Sequence, residues 1–199
     1  MKKTTLLKSA LLSVAIGSMS LTATSCKQEP KAEDTKEVAE DQNEAKFDDT
    51  NEAKEDDSQY LVAAAEVDMA EIELSKLAET KSTDADVKSL AKMMIDAHTK
   101  ASAGLKELAD KKQISLPAAL TEDGKEKYED LNKKSGKDFD QKFADLMVDG
   151  HKDAISKLEK ASEKATDAEI KTWATNMLPT LQAHLQHAET LKDKIKNKK

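Results

Sequence analysis

Apolar residues spaced three and four apart, repeated along four long segments, constrain this chain more than any other sequence feature. The segments cover about residues 59–80, 84–112, 137–164 and 167–196. This spacing places the apolar side chains on one face of an α-helix, and four such helices bury their faces together in a four-helix bundle. A short extra helix over 121–133 is predicted between the second and third long helices. The sequence therefore predicts an all-α fold.

Composition excludes the main competing architecture, an antiparallel β-sandwich or barrel. Only 3% of the 199 residues are aromatic, and the chain has five glycines and three prolines. Such a sheet needs β-branched and aromatic residues with frequent turn residues between its strands. The net charge of -7 argues against nucleic acid as a partner.

The first 25 residues are predicted to be an export signal. Residues 1–25 contain three lysines and no acid, and an apolar stretch over 9–21 is shorter than the roughly 20 residues of a membrane-spanning helix. Small residues lead into Cys26, the single cysteine, as in a bacterial lipobox. We expect a lipoprotein anchored to a membrane through Cys26, exported to the cell envelope and located at the outer membrane, on its periplasmic or surface face.

Residues 26–58 are predicted to be a disordered acidic tether. This segment has thirteen acids and five lysines, whereas residues 59–199 carry a net charge of only -2. Low hydrophobicity with high net charge buries too little apolar surface to offset chain entropy. The predicted organisation is thus a signal peptide over 1–25, a tether over 26–58 and a bundle domain over 59–199.

Three of the four histidines fall within the apolar stripes, one on each of the last three long helices. They are His98, His151 and His184. Burying a titratable side chain without a partner is costly, so three such positions indicate a common role. In either bundle topology His98 and His151 lie at one level. If the second connection crosses the length of the bundle, His184 is expected to lie about two turns away.

Two glutamates at the edge of the first stripe, Glu66 and Glu71, face the predicted histidine level. Layers of imidazole and carboxylate inside helical bundles bind metals, and Fe, Zn or Cu would each suit this donor set. The alternative is a polar core layer in which the histidines are hydrogen-bonded to Glu66, Glu71 or Asp140. The Glu-x-x-His pattern of di-iron proteins is absent, which disfavours oxidase or iron-storage chemistry.

Several stretches resemble a ferritin-like bacterial family of unknown function whose members are often labelled outer membrane proteins. The stretches lie within residues 70–78, 90–100, 138–140, 151–153 and 178–185. The resemblance covers about residues 58–193 and implies a ferritin-like four-helix bundle in the cell envelope. It also implies that the family's histidine motifs correspond to His98, His151 and His184, and its first-helix glutamate to Glu71. One departure is Ala97, where the family usually has Asp.

These observations support two functions for the chain. The first is a lipid-anchored envelope protein that binds one metal ion or a small ligand in its core. The second is a non-catalytic structural or stress-related lipoprotein whose buried histidines form only a polar layer. An enzyme is disfavoured because the chain has no phosphate-binding glycine loop, no nucleophile elbow and no paired cysteines.

Overall fold

The computed structural model describes residues 33–47 and 52–198, and all regular structure within these ranges is helical. None of these helices is long and apolar enough to span a membrane. The prediction of an all-α chain with a short helix between the second and third long helices is confirmed. The helices are α1 (Thr35–Phe47), α2 (Glu52–Lys81), α3 (Ala85–Lys112), α4 (Glu122–Asn132), α5 (Gly136–Lys164) and α6 (Ala168–Asn197).

Side-chain caps define where three of the helices begin. Asp84 accepts hydrogen bonds from the backbone N–H groups at the start of α3, and Asp167 does the same for α6. The Thr121 hydroxyl accepts from the Gly124 N–H at the start of α4. These side chains satisfy N–H groups that have no partner within the helix, so the sequence determines the starts of α3, α4 and α6 locally.

The four long helices, α2, α3, α5 and α6, pack side by side. Helix α2 lies against α3 and α5, and α6 lies against the same two helices. At one end Ser82, which follows α2, donates a hydrogen bond to Asp140 near the start of α5 (2.6 Å). At the other end Lys112 pairs with Asp167 at the start of α6 (2.5 Å). Helices α3 and α5 therefore run in the same direction, and the connection over 113–135 runs along the molecule.

The core consists of apolar clusters above and below a central polar level. One cluster lies toward the α2–α3 turn and includes Leu74, Met94, Phe139 and Met147. The clusters toward the opposite end contain the buried side chains Leu61, Leu105, Leu158, Ile170 and Leu181. On α3, His98 lies between Met94 of the first cluster and Leu105 of the clusters at the opposite end. His151 on α5 and His184 on α6 lie between the same clusters, so the three histidines occupy the level that separates them.

The prediction of a disordered tether over 26–58 is wrong for the described part of that segment. Residues 35–47 form α1, and α2 already begins at Glu52. Asn43 on α1 exchanges two hydrogen bonds with the Ser115 backbone, at 2.9 and 2.7 Å, and Phe47 is buried. Tertiary contacts with the connection over 113–135 therefore stabilise α1. The charged composition of this segment would not by itself favour a folded helix. Residues 26–32 and 48–51 lie outside the described residues.

Candidate metal centre

Three imidazoles meet at the central level of the molecule. The ring centroids of His98, His151 and His184 are 5.4 to 5.5 Å apart. Their exposed fractions are 2%, 0% and 8%, so all three are removed from solvent. Each side chain comes from a different helix, namely α3, α5 and α6.

The three histidines lie level because each is roughly four turns from the same end of the molecule. For His98 and His151, the four turns are measured from the starts of α3 and α5, which run in the same direction. His184 is counted back from the end of α6, which runs the opposite way and extends to Asn197. The expectation that a crossing connection shifts His184 by two turns is therefore wrong.

Glu71 on α2 brings a carboxylate into the same centre. Its Oε2 atom lies 2.7 Å from His98 Nε2, and its Oε1 atom lies 3.1 Å from His151 Nδ1. The residue is 3% exposed. A Cβ atom on Gly150 would lie 2.7 Å from Glu71 Oε1, so the carboxylate occupies space that the glycine leaves open.

Neighbouring groups fix the orientation of two of the rings. His98 Nδ1 lies 2.7 Å from Asp68 Oδ1, and Ser102 donates a hydrogen bond to the other oxygen of Asp68 (3.2 Å). His151 Nδ1 lies 2.8 Å from the Met147 carbonyl oxygen, an acceptor only, so Nδ1 carries the proton. These contacts favour the neutral tautomers that carry the proton on Nδ1. The Nε2 lone pairs of both rings are then available to bind an ion at the centre.

Five buried atoms of the centre have no hydrogen-bond partner within the described residues. They are His98 Nε2, His151 Nε2, His184 Nδ1 and both oxygens of Glu71. The Glu71 oxygens are close to the imidazoles but lie away from hydrogen-bonding directions. Native proteins rarely leave buried polar atoms unpaired, and a site for a bound ion is one accepted explanation of such atoms.

Burial and charge act together on the titration of these groups. Burial by itself lowers the pKa of His98, but the negative charge of Glu71 and the hydrogen bond with Asp68 raise this pKa to about 10. Burial raises the pKa of Glu71, whereas the positive charge of His98 brings it down to about 2. Burial, followed by the charges of His98 and His151, lowers the pKa of His184 to about 4. Without a metal, His98 and Glu71 form a buried ion pair beside a neutral His184.

The spacing of the donors is slightly wider than a bound ion requires. One ligand atom from each histidine lies within 4.8 Å of the others. Zinc–nitrogen bonds of about 2.0–2.1 Å place tetrahedral ligands roughly 3.4 Å apart. The upper limit of 4.8 Å exceeds this spacing, so binding of an ion would bring the side chains closer together.

Comparison with known proteins identifies the family of the chain. Residues 42–191 match the family described as a domain of unknown function, DUF4142. The chain belongs to the DUF4142 family. No curated protein and no solved structure matches the chain. The predicted resemblance to a bacterial domain of unknown function is confirmed, and the matched range of the DUF4142 domain contains every residue of the centre.

The DUF4142 domain brings together four of the five predicted metal ligands. His98, His151, His184 and Glu71 share the centre. Glu66 does not join them, because its carboxylate pairs with Lys36 of α1 (2.9 Å) and accepts a hydrogen bond from Thr121 (3.2 Å). Glu66 lies more than one turn from Glu71 along α2, and it attaches α1 and the start of α4 to that helix.

Other predicted residues lie away from the centre of the DUF4142 domain. Asp140, an alternative partner for the histidines, accepts a hydrogen bond from Ser82 at one end of the molecule. The fourth histidine, His187, is exposed. The predicted lipidation site, Cys26, lies outside the described residues.

Sequence reasoning missed two residues of the centre, Asp68 and Gly150. Asp68 precedes Glu71 by three positions, so the two carboxylates share one face of α2, and this i, i+3 spacing was the available signal. Gly150 directly precedes His151 within a long helix, where glycine costs roughly 1 kcal/mol relative to alanine. An interior glycine beside a core histidine indicates a close approach at that position.

Proposed function

We propose that this protein binds one first-row transition-metal ion through His98, His151, His184 and Glu71. The observation that carries the proposal is a set of five buried nitrogen and oxygen atoms from four helices that have no hydrogen-bond partner in the part of the chain that the structure describes. Three imidazoles and one carboxylate are a donor set suited to Zn²⁺, Fe²⁺ or Cu²⁺. Asp68 supports the same reading, because metal-bound histidines commonly donate their second N–H to a carboxylate.

We also infer a ferritin-like arrangement of the four long helices. Its support is the single long connection over 113–135, which lets α3 and α5 run in the same direction. One such crossover distinguishes ferritin-like bundles from bundles with short loops alone. The ligand set differs from the di-iron pattern of many such proteins, since Ile95, Val148 and Leu181 occupy the positions three residues before the histidines.

The metal proposal is tested by metal analysis and titration of the untagged full-length chain, extracted in mild detergent. We expect about one equivalent of bound metal after incubation with Zn²⁺, Fe²⁺ or Cu²⁺ followed by desalting. Substituting Co²⁺ should give a visible absorption spectrum with imidazole ligation. The matched variants are His151→Ala and His187→Ala, because the first removes a ligand and the second removes an exposed histidine.

His151→Ala should lose stoichiometric binding, whereas His187→Ala should bind as the wild type does. Circular dichroism of both variants confirms that the helices are retained. Failure of the wild-type chain to retain any of the three metals at neutral pH would contradict the proposal. Equal binding by both variants would show that the metal lies elsewhere.

The second candidate function is a structural role in which the histidines are only a polar core layer. The observation that favours it is the close approach of Glu71 to His98 and of Asp68 to the same ring, which compensates the charges without an ion. Under this hypothesis, His151→Ala changes stability, and the free energy of unfolding of the wild type is the same with and without added metal.

We propose further that the protein is exported and anchored to the envelope through Cys26. The support is sequence-based: a basic start, a short apolar stretch and small residues before a single cysteine. Metabolic labelling with a radioactive fatty acid should mark the wild-type chain, and Cys26→Ser should abolish the label and release the protein from the membrane fraction. A labelled Cys26→Ser variant would contradict the anchor.

A further inference from the structure

A metal ion that binds at a buried centre must pass through a closely packed interior. Two cavities border the centre from different sides of the molecule. They differ in size, polarity and charge, and these differences bear on which one a cation can use.

The first cavity borders His98 and Asp68 and holds only about 30 Å³. Its walls are largely apolar and include Trp173, Met177 and Leu181, with Lys157 as a positive charge. Space of this size accommodates about one water molecule. Moving a cation from water into apolar surroundings is costly, so this cavity is a poor route for a hydrated ion.

The second cavity is a cleft of about 260 Å³ between α2, α4 and α5 that ends at Glu71. Asp149 and Asp153 are exposed at its rim. The lining also includes Lys127, whose ammonium group pairs with Asp123, and Asp153 pairs with Lys157 (2.8 Å). Carboxylates outnumber ammonium groups along this lining, so the cleft favours cations.

Glu71 supplies an observation independent of the acidic rim. Its side chain is 96% buried and lines the cleft, and neither of its oxygens has a hydrogen-bond partner among residues 33–47 and 52–198. Gly150 lines the same cleft, and a Cβ atom there would lie 2.7 Å from Glu71 Oε1. The missing side chain keeps the inner end of the cleft open to the carboxylate.

We propose that this cleft is the route by which a divalent metal ion enters and leaves the centre. Asp149 and Asp153 attract the hydrated cation, and Glu71 Oε1 is the first buried ligand that it reaches past Gly150. The inference rests on the proposed metal centre and deepens it, because an ion with an open route exchanges with the surroundings. The protein then acts as a carrier of one exchangeable metal ion.

The test measures the rates of metal uptake and release in the full-length chain. Zn²⁺ uptake is followed by stopped flow in competition with a fluorescent chelator, and release is followed after adding excess chelator. The cleft variant is Asp149→Asn/Asp153→Asn. The control, Asp96→Asn/Glu107→Gln, changes the net charge equally at exposed positions on α3.

We expect the cleft variant to slow uptake about tenfold at low salt, because two attracting charges are removed from the entrance. Release should stay within about twofold of the wild type, because a rim charge acts mainly on the association rate and its salt dependence. The effect on uptake should shrink as salt is added, whereas loss of a ligand would mainly speed release. The control variant should show wild-type rates.

A second pair of variants tests the inner end of the cleft. Gly150→Ala places a methyl group against Glu71 and should slow uptake, while Gly104→Ala, which meets no atom within 4 Å, should not. Gly104→Ala favours the helical state, whereas Gly150→Ala also requires Glu71 Oε1 to shift, so circular dichroism and metal stoichiometry of both variants are measured beside the rates. Wild-type rates in both cleft variants, with normal metal binding, would overturn the route alone. A wild-type chain that binds no metal would overturn the proposed function together with the route.

Discussion

Asp68 determines which nitrogen of His98 faces the centre. Its carboxylate lies 2.7 Å from His98 Nδ1 and is held in turn by Ser102. Burial raises the pKa of Asp68, and the neighbouring His98 opposes this shift. Asp68 is therefore a positioning residue that increases the basicity of the imidazole and keeps Nε2 available as a ligand.

Asp68→Asn should weaken metal affinity by about ten- to a hundredfold, the usual effect of losing a supporting carboxylate. The amide retains the size of the side chain but not its charge. Isothermal titration with Zn²⁺ measures the change. Ser102→Ala serves as the comparison and should have a smaller effect, since the Ser102 hydroxyl donates a hydrogen bond to Asp68 and not to a proposed ligand. Unchanged affinity in Asp68→Asn would contradict the positioning role.

The metal-free protein should be most stable near pH 6.5, because the lowered pKa of His184, about 4 against an ordinary 6.5, costs stability as the pH falls below 6.5. The folded pKa of His98 is about 10 against an ordinary value of 6.5, so its contribution is complete below pH 6.5 and is lost as the pH rises toward 10. The folded pKa of Glu71 is about 2 against 4.5, so its contribution is complete above pH 4.5 and is lost as the pH falls toward 2. Urea unfolding at pH 5.5 and pH 9 measures the difference.

The metal-bound protein should follow the opposite trend between these two pH values, because ligand imidazoles must be deprotonated to bind. In the metal-free His98→Gln variant, the decline in stability above pH 6.5 should largely disappear. A metal-free wild type that gains stability from pH 5.5 to pH 9 would contradict the buried ion pair.

Among the individual residues of the centre, the three histidines and Glu71 were predicted from the sequence, whereas Asp68 and Gly150 were not. The spacing of apolar residues three and four apart places His98, His151 and His184 on apolar helix faces. This prediction does not require knowing which helices pack together. Choosing between Glu66 and Glu71 required the position of α1, because Lys36 on that helix pairs with Glu66. A contact between residues this far apart in the sequence leaves no periodic pattern from which it could be predicted.

Among the helices, α1 depends most on contacts outside itself. Its buried residues, Ala39, Asn43 and Phe47, are four apart and form a narrow stripe on an otherwise charged helix. Asn43 carries the polar contact, since it both donates to and accepts from the Ser115 backbone. This pairing attaches α1 to the long connection that follows α3.

Asn43→Ala should lower the free energy of unfolding by about 1–3 kcal/mol, because it removes a buried side chain and leaves the partly buried Ser115 backbone N–H and C=O without their partners. Urea denaturation followed by circular dichroism measures the loss. Glu44→Ala, at the exposed neighbouring position, is the control and should stay close to wild type. Equal stabilities of the two variants would contradict the docking of α1 through Asn43.

The four long helices could be predicted from sequence, whereas α1 could not. Their apolar stripes extend over many turns, and capping residues such as Asp84 and Asp167 fix their starts. Composition predicted disorder for the segment that contains α1, because one buried phenylalanine and one buried asparagine are invisible to a composition average. The direction of α5 depended on the path of residues 113–135, which local spacing does not encode.

For the whole molecule, a bound ion would connect all four long helices. Its ligands come from α2, α3, α5 and α6. An ion that binds only the folded state stabilises it by about 4 kcal/mol when its free concentration is a thousand times Kd. That stabilisation corresponds to roughly 8–16 °C in Tm for a chain of this size.

Removing the metal with a chelator should therefore lower the Tm of the wild type by about 10 °C. Differential scanning calorimetry with and without chelator measures the shift. The His187→Ala variant should show the same shift, and His184→Ala should show little or none. A wild-type Tm that does not respond to either metal or chelator would favour the polar core layer.

The centre also lies across the seam between two helical hairpins. The α2–α3 hairpin supplies Glu71 and His98, and the α5–α6 hairpin supplies His151 and His184. Neither hairpin holds the full set of proposed ligands, so a bound ion would join two halves that are already linked by residues 113–135, by packing, and by the Ser82–Asp140 and Lys112–Asp167 pairs. If the connection over 113–135 were cut, the two fragments should reassociate more tightly with metal than without it. The affinity of one hairpin for the other would then depend on the metal concentration.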